Sequence, residues 1–424
     1  MIKFDYVVSG TSMIRLYHQK KYDEELDFLE KRYKLINNGI DYIKNKLAND
    51  YPMFDLQISA LYNGYTEKTF GTMLRKNFKC FDNIYADSGG LQVITTGAKL
   101  TPELKSKVYE TQDVSDFSFC FDEIPIKKLD EIEERSSDNR IFLPNLIKEK
   151  ATETAMNVLE QINSLKHSKV LYIIQGNTID DMVKWFEYGA NILGEENINK
   201  LGGLAVSLAC MGFKELESID CLAACKIIFD KYPNLNKRLH LLGFGAAKKI
   251  IPALIFANSN FLKDVTISAD STSQSMSFMM GHAKTSNGIV HKNKEKQFLA
   301  SYLEFAKYME PFYKKYVPDY NVSEFANLIL INNRSVATLE DLLFDDKNHK
   351  YHNIAGSVVQ LYCMWNIDIM INECNSWITN EYKNKFIELN YISTIEEYYK
   401  WRSKNLSNLS TGRIKRLKKN LFFD

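Results

Sequence analysis

The stretch 170–176, Val-Leu-Tyr-Ile-Ile-Gln-Gly, is a continuous apolar run that ends in an amide side chain and a glycine. Five other short apolar runs have a similar form, and each contains a carboxylate or a glycine that marks the predicted strand end. They cover residues 81–90, 117–123, 200–206, 239–245 and 265–270. Stretches with helical character, such as 180–191 and 248–257, lie between them. Continuous apolar strands that alternate with helices are typical of parallel strands covered on both faces.

Two more strand candidates, at 6–9 and 54–59, bring the number to eight, as in a (β/α)8 TIM barrel. The sequence therefore predicts the α/β class and this barrel. Polar residues at the carboxyl ends of barrel strands build active sites. The predicted strand-end residues are Asp87, Asp122, Gln175, Gly202, Gly203, Gly243 and Asp270. An open doubly wound sheet is the alternative, but it is disfavoured because the chain has no Gly-x-Gly-x-x-Gly turn.

The pattern changes near residue 292, where glycine becomes rare and helical periodicity begins to dominate. We therefore predict a barrel domain at 1–292 and a helical region at 293–424, although 424 residues could also hold two or three domains. The stretch 411–420 is locally basic. It is either a phosphate contact or the solvated face of a terminal helix, and both interpretations stay open.

The composition, with 45% hydrophobic and 25% charged residues, excludes a disordered, collagen-like or disulfide-rich secreted chain. With 54 basic and 53 acidic residues, the net charge of +1 excludes a globally basic nucleic-acid coat but permits a local basic face. The seven cysteines are scattered and odd in number, which indicates reduced thiols. The start of the sequence does not resemble a signal peptide, and no apolar run is long enough to span a membrane. We expect a soluble, cytoplasmic protein without a membrane partner.

The segment 87–92, Asp-Ser-Gly-Gly-Leu-Gln, places a carboxylate and two glycines after a predicted strand, and glycines let the backbone approach a ligand closely. Taken alone, it could be a helix cap followed by a turn. The segments 121–125, 173–176 and 201–207 follow it in order, as Phe-Asp-Glu-Ile-Pro, Ile-Ile-Gln-Gly and Leu-Gly-Gly-Leu-Ala-Val-Ser. Over about 85–245, this ordered set resembles the tRNA-guanine transglycosylase family.

That resemblance implies an irregular TIM barrel that exchanges guanine in a nucleic acid for a 7-deazaguanine, with no cofactor. It implies that Asp122 and Gln175 hydrogen-bond the base, that Asp87 is the general acid/base and that an Asp on the last strand is the nucleophile. Two carboxylates suit this chemistry, because one traps the sugar covalently while the other protonates the leaving base. The other residues implied to contact the substrate are Ser88, Gly89, Gly90, Leu91, Gly202, Gly203, Leu204, Leu242 and Gly243.

The last strand offers two candidates for the nucleophile. Asp270 ends the apolar run and would lie at the carboxyl rim, whereas Asp264 begins the run and would lie near the opposite face. We therefore predict that Asp270 is the nucleophile. An Asx turn that caps the following residues is the structural alternative for Asp270.

Three departures from the family pattern bear on the substrate. Leu91 replaces the aromatic residue that stacks on the base, and no Cys-x-Cys-x-x-Cys spacing is present, so we predict no metal site. The segment 268–273, Ser-Ala-Asp-Ser-Thr-Ser, is more similar to the DNA-directed branch of phages and bacterial genomic islands. DNA and a base such as 7-cyano-7-deazaguanine are therefore the expected partners, in the host cytoplasm if a phage encodes the chain.

The candidate phosphate contacts are basic residues at the predicted barrel mouth and in the tail. They are Lys284, Lys292, Lys294, Arg413, Lys415, Arg416, Lys418 and Lys419. Two alternatives remain: a tRNA-guanine transglycosylase with a degenerate metal site, and a non-catalytic subunit that positions nucleic acid. The retained carboxylates argue against the second, since such subunits lose them. The sequence leaves the oligomeric state open.

Overall fold

In the part of the chain that a computed structural model describes, eight parallel strands form the centre of the protein. The described residues are 5–9, 26–46, 54–59, 81–89, 101–125, 144–207, 217–244, 247–270, 282–283, 291–292, 295–332, 349–379 and 384–406. The strands are β1 (Asp5–Ser9), β2 (Phe54–Ser59), β3 (Ile84–Asp87), β4 (Phe117–Phe119), β5 (Lys169–Ile174), β6 (Gly203–Ser207), β7 (Arg238–Leu242) and β8 (Thr266–Asp270). They pair in chain order, and Asp5 of β1 also pairs with Ser268 of β8. The predicted α/β class and TIM-like barrel are confirmed.

Helices surround the strands. Those between strands are Leu26–Lys46, Pro102–Gln112, Ile147–Ser164, Ile179–Ile198, Glu217–Lys231 and Ala247–Ala257, with a 3-10 turn at Pro144–Leu146. After β8 come a short antiparallel ribbon of β9 (His282–Ala283) and β10 (His291–Lys292), the helices Glu295–Tyr313, Val322–Asn332, His352–Ala355, Val358–Thr379, Asn384–Ile387 and Ile395–Leu406, and a 3-10 turn at Glu388–Tyr391. None of these described helices is both long and apolar enough to cross a membrane.

Strand alternation decides which side chains face the inside of the barrel. Tyr172 of β5 faces the helices, since its ring lies 5.4 Å from the ring of Phe186. The contact is so close that a Cβ at Gly189 would lie 2.1 Å from the Tyr172 hydroxyl oxygen. Because successive residues of a strand point to opposite faces, Ile173 and the residue two positions later, Gln175, point towards the interior.

The helix Val358–Thr379 packs against two barrel helices, Ala247–Ala257 and Leu26–Lys46. A Cβ at Gly39 would lie 2.6 Å from the Leu361 methyl carbons, so glycine permits the close approach of these two helices. The two helices follow β7 and β1, so Val358–Thr379 covers the outside of the barrel where β8 lies between them. Residues on both sides of position 292 thus share one hydrophobic core.

A candidate active site at the carboxyl ends of the strands

Asp270 is the last residue of β8 and is only 6% exposed. The Gly243 backbone N–H donates a hydrogen bond of 2.8 Å to its Oδ1, and the His240 Nε2 lies 3.2 Å from the same oxygen. Gly243 has a φ of 73°, in the left-handed region that favours glycine. Asp264 is exposed and precedes β8, so it lies at the other end of this strand.

Asp122 and Gln175 meet at the carboxyl ends of β4 and β5. The Gln175 Nε2 donates a hydrogen bond of 2.5 Å to the Asp122 Oδ2. Gln175 is fully buried, and its Oε1 has no hydrogen-bond partner among the described groups. An acceptor left unpaired in a buried place costs free energy, so this oxygen is suited to a ligand that carries a donor.

Burial raises the pKa of Asp122 to about 7, and the nearby Asp87 carboxylate raises it further while the Gln175 hydrogen bond opposes the shift. Burial disfavours a charged carboxylate, so a carboxyl with such a pKa can exist in both protonation states near neutral pH. The influence of Asp87 on this pKa also indicates that the two carboxyl groups lie in the same part of the barrel.

Asp87 is half-buried at the end of β3, and Ser88 and Gly89 follow it. The Ser88 hydroxyl donates a hydrogen bond of 3.0 Å to the Cys120 carbonyl oxygen, which ties the end of β3 to the end of β4. Gly89 has a φ of 79°, so the turn after β3 uses a conformation that favours glycine. Gly90 and Leu91 lie outside the described residues.

The prediction that Gly202 and Gly203 lie at the carboxyl end of a strand is wrong. β6 begins at Gly203, and a Cβ on Gly203 would lie 2.4 Å from the carbonyl oxygen of Arg238, the first residue of β7. Both glycines therefore lie at the amino end of the barrel, across from Asp270. Leu204 is fully buried and pairs with the outward-facing Tyr172, so its side chain faces the helices.

Leu242 ends β7 and is half-buried, as expected for the carboxyl rim, and Gly243 follows it. His240, on the same strand, was not singled out by the sequence pattern. It is fully buried, with its Nδ1 2.9 Å from the Ser268 hydroxyl oxygen. The sequence feature that could have pointed to His240 is a single histidine within an otherwise apolar predicted strand.

The amino end of the barrel is filled by a cation and aromatic rings. The Arg238 Nη1 donates a hydrogen bond of 2.8 Å to the Tyr85 hydroxyl, and the guanidinium lies 4.3 Å from the centre of the Phe117 ring. It also lies 3.6 Å from Asp5, whose pKa burial raises to about 6 against the opposing charge of Arg238. These contacts fill the amino end of the barrel interior with side chains, on the side opposite Asp270.

No group of three His, Cys, Asp or Glu side chains within the described ranges could hold a metal ion. Cys221 and Cys225 are both fully buried on the helix Glu217–Lys231. Lys292 belongs to the short β10 strand. The other basic residues proposed for phosphate contact lie outside the described residues, and they are Lys284, Lys294, Arg413, Lys415, Arg416, Lys418 and Lys419.

The raised pKa of Asp122 predicts a pH-dependent stability. The folded chain holds this proton up to about pH 7, whereas an unfolded aspartate releases it near 3.8. The folded state therefore binds more protons between these values, and the free energy of unfolding should fall as pH rises from about 4 to about 7. Asp122→Asn removes this dependence and should be more stable than wild type at pH 8 by roughly 2–4 kcal/mol.

Urea unfolding at pH 5 and pH 8 measures this difference. Asp180→Asn is the matched control, because Asp180 is exposed on the helix Ile179–Ile198 and its loss should leave the pH slope unchanged. If wild type and Asp122→Asn lose the same stability between the two pH values, Asp122 does not hold the proton.

A scan of protein-family models and a search of curated proteins find no match to this chain.

Proposed function

We propose that this protein is a DNA-guanine transglycosylase, built on an irregular (β/α)8 TIM barrel with a helical C-terminal region. It would exchange guanine in DNA for a 7-deazaguanine derivative such as 7-cyano-7-deazaguanine. One observation carries the proposal: Asp87, Asp122, Gln175 and Asp270 come from four strand ends and lie at the same end of one barrel. Three carboxyl groups and an amide at one rim suit both recognition of a base and cleavage of its glycosidic bond.

Asp122 and Gln175 are suited to bind the base. Guanine presents N1–H and N2–H donors on its Watson–Crick edge, and a carboxylate can accept both. The Gln175 Oε1, which is buried without a described partner, offers a further acceptor. Gln175 already binds Asp122, so the pair is held in place before the base arrives. A 7-deazaguanine keeps the same donor edge, so one pocket can bind the leaving and the incoming base.

Asp270 and Asp87 are suited to the two chemical steps. In the first step, a carboxylate lone pair of Asp270 forms a bond to the sugar C1′ while the bond from C1′ to N9 breaks. The electron pair leaves with the base, which takes a proton from Asp87. In the second step Asp87 removes a proton from the incoming base, N9 attacks C1′, and Asp270 leaves as a carboxylate.

A base inside a duplex must leave the stack to reach such a rim, unless the DNA is presented as a single strand. The helix Ile395–Leu406 packs against the outside of the barrel, where Arg402 pairs with Asp220 in the first turn of the helix that follows β6. The basic stretch 411–420 follows this helix closely in the chain. Its basic residues would bind the phosphates of the DNA.

Incorporation of labelled guanine tests the proposal. We expect label to enter guanine-containing DNA, single-stranded or duplex, and unlabelled 7-cyano-7-deazaguanine to chase it out. Unfractionated tRNA is the parallel substrate at equal guanine concentration. Incorporation of label into tRNA but not into DNA would support a tRNA-guanine transglycosylase instead. Incorporation into neither nucleic acid would support a non-catalytic subunit.

A further inference from the structure

The two carboxylate oxygens of Asp270 differ in their hydrogen bonds. Among the described residues, both hydrogen bonds to this side chain reach Oδ1, from the Gly243 N–H at 2.8 Å and from the His240 ring at 3.2 Å. A buried carboxylate needs donors to offset the loss of water, and here they are gathered on one oxygen. Oδ2 is therefore the oxygen available to form a bond at the rim.

His240 is held rigidly below this carboxylate. It is fully buried, and its ring centre lies 4.8 Å from that of Phe119 and 5.3 Å from that of Tyr85. Its second nitrogen, Nδ1, lies 2.9 Å from the hydroxyl oxygen of the fully buried Ser268. Both ring nitrogens are thus engaged, and the ring has little freedom to turn.

These contacts determine where the proton of the ring sits. An ionised Asp270 can only accept, so the His240 Nε2 must carry the proton, and a neutral ring then leaves Nδ1 as an acceptor. The Ser268 hydroxyl can donate to that nitrogen. Chains of this kind, in which a polar group fixes the tautomer of a histidine that orients a reactive group, recur in enzymes.

We propose, resting on the transglycosylase function above, that His240 is a positioning residue for the nucleophile Asp270, with its tautomer fixed by Ser268. The Nε2–H and the Gly243 N–H hold Oδ1, and Oδ2 bonds to C1′. In the resulting ester Oδ1 is the carbonyl oxygen and still accepts both hydrogen bonds. When the second step breaks the bond from C1′ to Oδ2, the same donors stabilise the departing carboxylate.

Nitrogen NMR of protein labelled with [15N]histidine tests the contact without any activity. The His240 signals are assigned by their loss in His240→Gln. We expect a proton on Nε2 and none on Nδ1 at pH 8, and Ser268→Ala should weaken this preference. An Nε2 without a proton would overturn the proposal, because His240 could not then donate to Asp270.

Kinetics test the positioning role. His240→Leu should lower kcat for guanine exchange by about 10²–10³-fold, as expected for a lost preorganised donor, and should change KM for the free base by less than about threefold. His240→Gln places an amide N–H near the position of Nε2. Its kcat should therefore be at least about tenfold higher than that of His240→Leu. The exposed His167 provides the control His167→Leu, which should match wild type.

Equal losses in His240→Leu and His240→Gln, or a kcat unchanged in both, would overturn the positioning role. If wild type itself exchanges no guanine, the proposed function fails, and the NMR result still decides whether His240 donates to Asp270. If His240→Leu does not fold, the Gln variant and Ser268→Ala still test the proposal by kcat and by NMR.

Discussion

Asp270→Asn is expected to lower the rate of guanine exchange by at least about 10⁴-fold, the scale seen when a covalent nucleophile is removed. The amide keeps the shape of the side chain, and its oxygen can still accept the hydrogen bond from Gly243. It lacks the charge and the nucleophilic oxygen that trap the sugar. The fold should persist, so circular dichroism and the melting temperature should stay close to those of wild type.

The matched control is Asp264→Asn, six positions earlier in the chain. Asp264 is exposed and precedes β8, so this variant changes one carboxylate of the same segment without touching the rim. It should keep the wild-type rate of exchange within a factor of about two. Full exchange activity in Asp270→Asn, or its loss in Asp264→Asn, would contradict the assignment of the nucleophile.

Arg402→Ala is expected to lower the free energy of unfolding by roughly 2–4 kcal/mol, which is a large effect for a partly exposed residue. The Arg402 Nε and Nη2 donate hydrogen bonds of 2.7 and 2.8 Å to the two oxygens of Asp220, which is 4% exposed. Tyr398 donates a third, of 2.6 Å. Removal of the Arg402 cation leaves the buried Asp220 carboxylate without its charged partner. This loss destabilises the folded state by more than the intact ion pair stabilises it.

The control for this prediction is Lys200→Ala, which breaks the exposed ion pair between Lys200 and Glu196. Pairs in water contribute little, so the change should stay below about 0.5 kcal/mol. Urea denaturation followed by circular dichroism measures both variants under the same conditions. Equal stability of Arg402→Ala and Lys200→Ala would show that the helix Ile395–Leu406 does not depend on Asp220.

The strands of the barrel were predictable because short apolar runs that alternate with helical stretches leave few other folds. The carboxyl ends of β3, β5 and β8 were predictable too, since a polar residue ends each run. The carboxyl end of β6 was predicted wrongly, because the apolar residues of this strand follow Gly203 and do not precede it. A glycine pair beside an apolar run does not reveal which end of the strand it occupies.

The contact between His240 and Asp270 could not be predicted, because it joins residues 30 positions apart and depends on the register of β7 against β8. Helical periodicity predicted helices after residue 292 but not their partners. The packing of Val358–Thr379 on the barrel follows from shape, such as the gap that Gly39 leaves for Leu361. The periodicity of apolar residues in a helix does not show which other helix it will pack against.

The central claim is that Asp270 becomes bonded to a sugar of DNA when guanine leaves. The most direct measurement is mass spectrometry of the denatured protein after incubation with a guanine-containing oligonucleotide, followed by peptide mapping. We predict a mass increase equal to the oligonucleotide without one guanine, on the peptide that carries Asp270, and none in Asp270→Asn. No adduct in wild type under conditions where exchange occurs, or an adduct on another residue, would contradict it.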